Sequence, residues 1–177
     1  MSSKSKNKGN SWEREVASYL SSLYSESFIR VPNSGAYVGG RHSVRKQILH
    51  QGQIRMMKGD IIPPTTWTYF NVECKSYADF IFHSLFTNEC KLLDTWIEQT
   101  LDAADSDDIN LVLFKITRKG KFVAVPDLKI WDTSNSFVKY NSKKFNSWII
   151  YDFDYFWSQH KEIVKNLSLL GIKSIDK

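Results

Sequence analysis

The chain has 177 residues, 42% of them hydrophobic and 14% aromatic, and a formal net charge of +5. That length suits one packed domain rather than two, and the apolar content excludes a disordered chain. No apolar run approaches the roughly 20 residues needed to span a bilayer, and no apolar stretch of a secretory signal follows the basic N-terminus. Cys74 and Cys90 have no metal-type spacing, so the expected setting is reduced and cytoplasmic, with no membrane partner.

Residues 1–10 are polar and rich in Lys, Ser, Asn and Gly, which predicts a flexible basic arm. From Ser11, an expected N-cap, Trp12, Val16, Tyr19, Leu20 and Leu23 recur at helical spacing. Phe28 to Val31 reads as a short strand ended by Pro32-Asn33-Ser34-Gly35. Residues 36–58 then form a basic insertion carrying Arg41, Arg45, Lys46, Arg55 and Lys58, with a short helix over Ser43 to His50. Strands follow near 59–62 and 67–75, closed between them by Pro63-Pro64, so a hairpin is expected to bring Asp60 beside Glu73.

A helix is predicted over Thr87 to Ala104, with Cys90, Leu93, Trp96, Ile97, Leu101 and Ala104 as its apolar stripe. Asp105, Asp107 and Asp108 read as its solvated end. Ile109 to Thr117 is nearly all apolar, as in a strand covered on both faces, and Arg118-Lys119-Gly120 turns into a strand over Lys121 to Val125. Residues 126–177 read as a C-terminal extension packed on the core, with a strand near Trp148 to Tyr151 and a helix from Asp154 to Leu170. The order predicts an α/β fold with a mixed central sheet flanked by helices.

The charge is unevenly spread. Residues 1–58 carry ten Lys/Arg against three Glu, whereas residues 59–177 carry fourteen against sixteen Asp/Glu. The basic part suits a polyanion, nucleic acid first among them, and a solvated basic surface is the bland alternative. Its candidate nucleic-acid contacts are Lys4, Lys6, Lys8, Arg14, Arg30, Ser34, Arg41, Arg45, Lys46, Arg55 and Lys58.

The chemistry concentrates in Gly59-Asp60 and Asn71-Val72-Glu73-Cys74-Lys75. Phe70, Val72 and Cys74 alternate with Asn71, Glu73 and Lys75, so Glu73 and Lys75 leave one face of a strand. Two carboxylates with an ammonium can hold Mg²⁺ and a water for attack on a phosphodiester. Glu13 is a third candidate ligand, with a macrodipole or capping role as the alternative. A surface ion pair with Glu73 is the alternative for Lys75. The four histidines show no zinc spacing.

Lys8-Gly9-Asn10-Ser11-Trp12-Glu13-Arg14-Glu15, Arg30-Val31-Pro32-Asn33-Ser34-Gly35, Gly59-Asp60 and Glu73-Cys74-Lys75, in that order, resemble the archaeal-type Holliday junction resolvases of the PD-(D/E)xK nuclease superfamily. The match covers about residues 8–125. It implies a restriction-endonuclease-like core over 11–125 and a homodimeric, divalent-metal-dependent endonuclease. In it Asp60 and Glu73 are metal ligands, Lys75 is the catalytic lysine, Glu13 is the glutamate of the first helix, and Ser34 is the turn serine near DNA. The expected metal is Mg²⁺, with Mn²⁺ as a substitute. Gly59 stands where the motif's name has proline, a change expected to be harmless. The insertion before Asp60 and the region after Val125 depart from the pattern. The resemblance makes branched DNA the first expected substrate, and the basic insertion, which could read a duplex, makes a sequence-specific cut in duplex DNA, as by homing or restriction nucleases, the alternative. A non-catalytic DNA-binding module is a third reading, disfavoured because carboxylates facing phosphate weaken binding unless a metal neutralises them.

Overall fold

The computed structural model describes residues 3–32, 58–134 and 138–176. Helix α1 (Ser3–Tyr24) buries Trp12, Val16, Ala17 and Leu20 along one stripe. It starts at Ser3 rather than at Ser11, which corrects the expected arm over residues 1–10. That stretch contains no proline, and its one glycine costs a helix only about 1 kcal/mol. The Trp12 indole N–H donates to the Leu113 carbonyl over 3.0 Å, which fixes α1 against the middle of the sheet.

Strands β1 (Ile29–Arg30) and β2 (Ile61–Ile62) form a small antiparallel pair, Arg30 opposite Ile61. The hairpin expected between 59–62 and 67–75 is absent, because β2 spends its pairing on β1 and Pro63-Pro64 offers no N–H to a ladder. Strand β3 (Phe70–Tyr77) leads to a short helix α2 (His83–Phe86) and then to α3 (Lys91–Ala103). The helix predicted over Thr87 to Ala104 starts only at Lys91, and the separate short helix α2 precedes the predicted range. Asn88 separates them at φ +56, a left-handed conformation that asparagine tolerates better than most side chains. Thr100 and Ala103 are buried with Leu93, Trp96 and Ile97, whereas Leu101, expected in the apolar stripe, is 37% exposed.

Strands β4 (Ile109–Ile116), β5 (Gly120–Pro126), β6 (Val138–Tyr140) and β7 (Trp148–Asp152) complete a five-stranded sheet of order β3-β4-β5-β7-β6. Only β3 and β4 are parallel within it. Helix α4 (Phe153–Leu170) and a 3₁₀ turn (Ile172–Asp176) end the described chain. Residues 126–177 are thus no add-on, because β7 sits inside the sheet and Ile149, Ile150 and Tyr151 are buried there.

Alternate residues along each strand feed two apolar layers. On one face Trp12, Val16 and Leu20 of α1 meet Phe153, Phe156 and Trp157 of α4 over Val72, Leu111, Leu113 and Val123. On the other, Leu93, Trp96 and Ile97 of α3 cover Val112, Phe114, Ala124 and Ile150. The mixed sheet flanked by helices is the architecture that the order of elements predicted.

Asp152 caps α4, its carboxylate accepting from the N–H groups of Asp154 and Tyr155, both over 3.0 Å. Asp152→Ala should cost about 1 kcal/mol, read from urea denaturation. An unchanged midpoint would show that packing alone holds α4.

Candidate active site

Asp60 reaches β3 without belonging to a ladder. Its N–H donates to the Val72 carbonyl over 2.7 Å, and its Oδ2 accepts the Cys74 N–H, also over 2.7 Å. Both β3 groups lie on the edge away from β4. The turn into Asp60 needs Gly59, whose φ is +65 and whose Cβ, if it had one, would be driven into the Val72 carbonyl. Proline cannot adopt that φ, so glycine in the place of the motif's proline is not merely tolerated: at this turn it is what fits.

Glu73 and Lys75 leave β3 on one face, with the Lys75 ammonium 2.5 Å from Glu73 Oε1. Glu73 is 8% exposed. Burial first, then the charges of Asp60 and more weakly Glu13, push its carboxyl up to about 7 against the pull of Lys75. Burial tends to lower the Lys75 ammonium, but Glu73 and Asp60 outweigh it and its pKa is raised. Glu13 comes from the third turn of α1, not its first, so the macrodipole alternative for it falls away. Its buried carboxylate pairs with Arg30 of β1, whose guanidinium also donates to Asn10 Oδ1 over 2.7 Å. Two residues on, Glu15 faces elsewhere, held by Lys115 at 2.7 Å and Lys121 at 2.8 Å.

The structure thus gathers Glu13, Asp60, Glu73 and Lys75 within electrostatic reach of one another, with Arg30 tied to Glu13. Arg14 is exposed on α1. Ser34, Arg41, Arg45, Lys46 and Arg55 lie outside the described residues, as do the side chains of Lys4, Lys6 and Lys8. Lys58 requires a correction. It is 4% exposed and pairs with Asp108 and, at 3.2 Å, Asp105, so its ammonium is not offered to phosphate. Asp108 is likewise no solvated helix end, being 1% exposed. Sequence reasoning missed Asn10 and Asp108. The only signal for Asp108 is its place directly before the apolar run of β4, where a charged side chain has little room to reach water.

The family model of the phage putative PDDEXK endonucleases matches residues 4–166. The chain belongs to that family. Among curated proteins and among solved structures no match is found. The five-stranded mixed sheet with its flanking helices is the restriction-endonuclease-like core of these PDDEXK nucleases. Membership places the archaeal-type resemblance at the level of the superfamily. Among the described residues no helix is long and apolar enough to cross a membrane.

PDDEXK nucleases generally use divalent metals, and the residues fit one. Among the described residues no three Asp, Glu, His or Cys side chains form a cage that could hold an ion unaided. A hard cation such as Mg²⁺ needs only one or two carboxylates when waters and a phosphate supply the remaining oxygens. The raised Glu73 carboxyl reports the same demand: three acidic side chains share a partly desolvated space, and a cation would relieve their repulsion.

Proposed function

We propose that this chain is a Mg²⁺-dependent DNA endonuclease acting on branched DNA, with Mn²⁺ able to replace Mg²⁺. The observation that carries the reading is the approach of Asp60 to the strand that bears Glu73 and Lys75, through its bonds to Val72 and Cys74. Asp60 and Glu73 would hold the ion, with Glu13 as a third oxygen donor. The ion, when bound, supplies Lewis-acid stabilisation of the charge that builds on the phosphate. Lys75, protonated because Glu73 and Asp60 raise its pKa, holds the attacking water and offsets negative charge. Arg30 keeps Glu13 turned toward the site. Arg14 and the basic residues of 36–57 supply phosphate contacts, and a homodimer would present two such sites to a two-fold symmetric junction.

One assay decides among substrates. With Mg²⁺, the protein is given a synthetic four-way junction and, separately, a linear duplex of matching sequence. Paired cuts near the crossover are expected. A single cut in the duplex, independent of branching, would instead indicate a sequence-specific enzyme whose basic insertion reads bases. If neither substrate is cut and Glu73→Ala binds both as the wild type does, the nuclease reading fails.

A further inference from the structure

A buried ion pair lies directly behind the Gly59-Asp60 step. Lys58 and Asp108 are 4% and 1% exposed, and their side chains are paired. Desolvating two charges is expensive, and apolar replacements for such pairs are often neutral or stabilising, so stability alone is a poor account of this one. Asp108 sits in the turn from α3 into β4. Its Oδ2 accepts the Asp105 N–H over 2.6 Å, and its own N–H donates to the Asp105 carbonyl over 3.1 Å. Its Oδ1 is buried without a hydrogen-bond partner, an unusual cost to carry at a purely structural turn. The next residue, Ile109, pairs with Phe70 at the start of β3. The turn that holds Asp108 is therefore fixed to the strand that bears Glu73 and Lys75.

Lys58 transmits that position to the chain entering the site. One residue later Gly59 turns left-handed against Val72, and the next residue delivers Asp60 to the Val72 carbonyl and the Cys74 N–H. We propose that Asp108, acting through Lys58, is a positioning residue of the metal site: the buried pair sets the chain before Gly59 so that the Asp60 carboxylate stays on the β3 edge. This rests on the reading of Asp60 as a metal ligand. Asp105, with its side chain 65% exposed, is a bystander to the same ammonium, since an exposed partner adds little.

The test measures Mn²⁺ affinity by the EPR signal of the free ion, alongside duplex binding in EDTA and the thermal transition. Wild-type protein should bind Mn²⁺ and Asp60→Asn should lose it. Asp108→Asn, and the double variant Lys58→Met with Asp108→Leu, should weaken Mn²⁺ binding by about 10- to 100-fold, as removal of a ligand's supporting group does. Their duplex binding in EDTA should remain, and Asp105→Asn should match the wild type throughout. If Asp108→Asn does not fold, the double variant decides, because it leaves no buried charge unpaired. A folded double variant with wild-type Mn²⁺ affinity overturns the proposal, and so does one that cannot fold, since the pair is then structural. Wild-type protein without Mn²⁺ binding, or Asp60→Asn binding it normally, removes Asp60 as a ligand, and the positioning role falls with it.

Discussion

Lys75→Ala should bind duplex DNA as the wild type does, yet cleave at least about 100-fold more slowly, the usual scale for losing one positioned charge or proton donor. The ammonium is 2.5 Å from Glu73 Oε1 and partly buried, and its pKa is raised. A lysine held protonated cannot serve as a base. It can donate hydrogen bonds to a water and to phosphate oxygens as charge develops, and an alanine can do neither. Lys75→Arg keeps the charge but replaces a compact ammonium with a planar fork, so it should recover only part of the rate. Lys75 also pulls the Glu73 carboxyl downward, so its removal should move the acid limb of the pH–rate profile to higher pH. Wild-type cleavage by Lys75→Ala would take this residue out of the mechanism.

Glu73→Gln should abolish cleavage and, in the metal-free protein, raise stability at neutral pH. The unfolded chain releases this proton near 4.5, whereas the folded protein holds it to about 7. Between those values the native state binds the extra proton, so stability is greatest below the window and is lost as pH rises through it. A shift of that size corresponds to on the order of 3 kcal/mol. Glutamine has no proton to lose, so urea denaturation in EDTA at about pH 5 and about pH 8 should show a falling wild-type stability and a flatter variant. Mg²⁺ takes the place of the proton and should stabilise the wild type more at the higher pH. Equal pH slopes for the two proteins would mean that Glu73 is not crowded in the way its burial and neighbours imply.

Much of the site was legible because its parts are local patterns. Alternation along Phe70 to Lys75 placed Glu73 and Lys75 on one face, and the apolar stripe after Ser11 identified α1, which carries Glu13. The central strand over Ile109 to Ile116 was equally plain, since a strand covered on both faces must be apolar throughout. Pairing was less legible. Asp60 and Glu73 were expected to meet through a hairpin, and they meet instead through two hydrogen bonds to an open strand edge, with β2 turned toward β1. The C-terminal strands looked peripheral because nothing local reveals that Ile149 will face Val125.

Lys58 and Asp108 show the limit most clearly. Each reads as a solvated charge, Lys58 as part of a basic insertion and Asp108 as the end of a run of aspartates. By itself, the sequence determined the residue types of the candidate site, the α/β class and the strand that presents Glu73 and Lys75, because side-chain period and donor chemistry are properties of short segments. Only the tertiary structure decided which edge receives Asp60, which glutamate of α1 turns inward, and which lysine is buried. Those outcomes depend on which distant segments exclude water from a charge, and no window of sequence contains both partners.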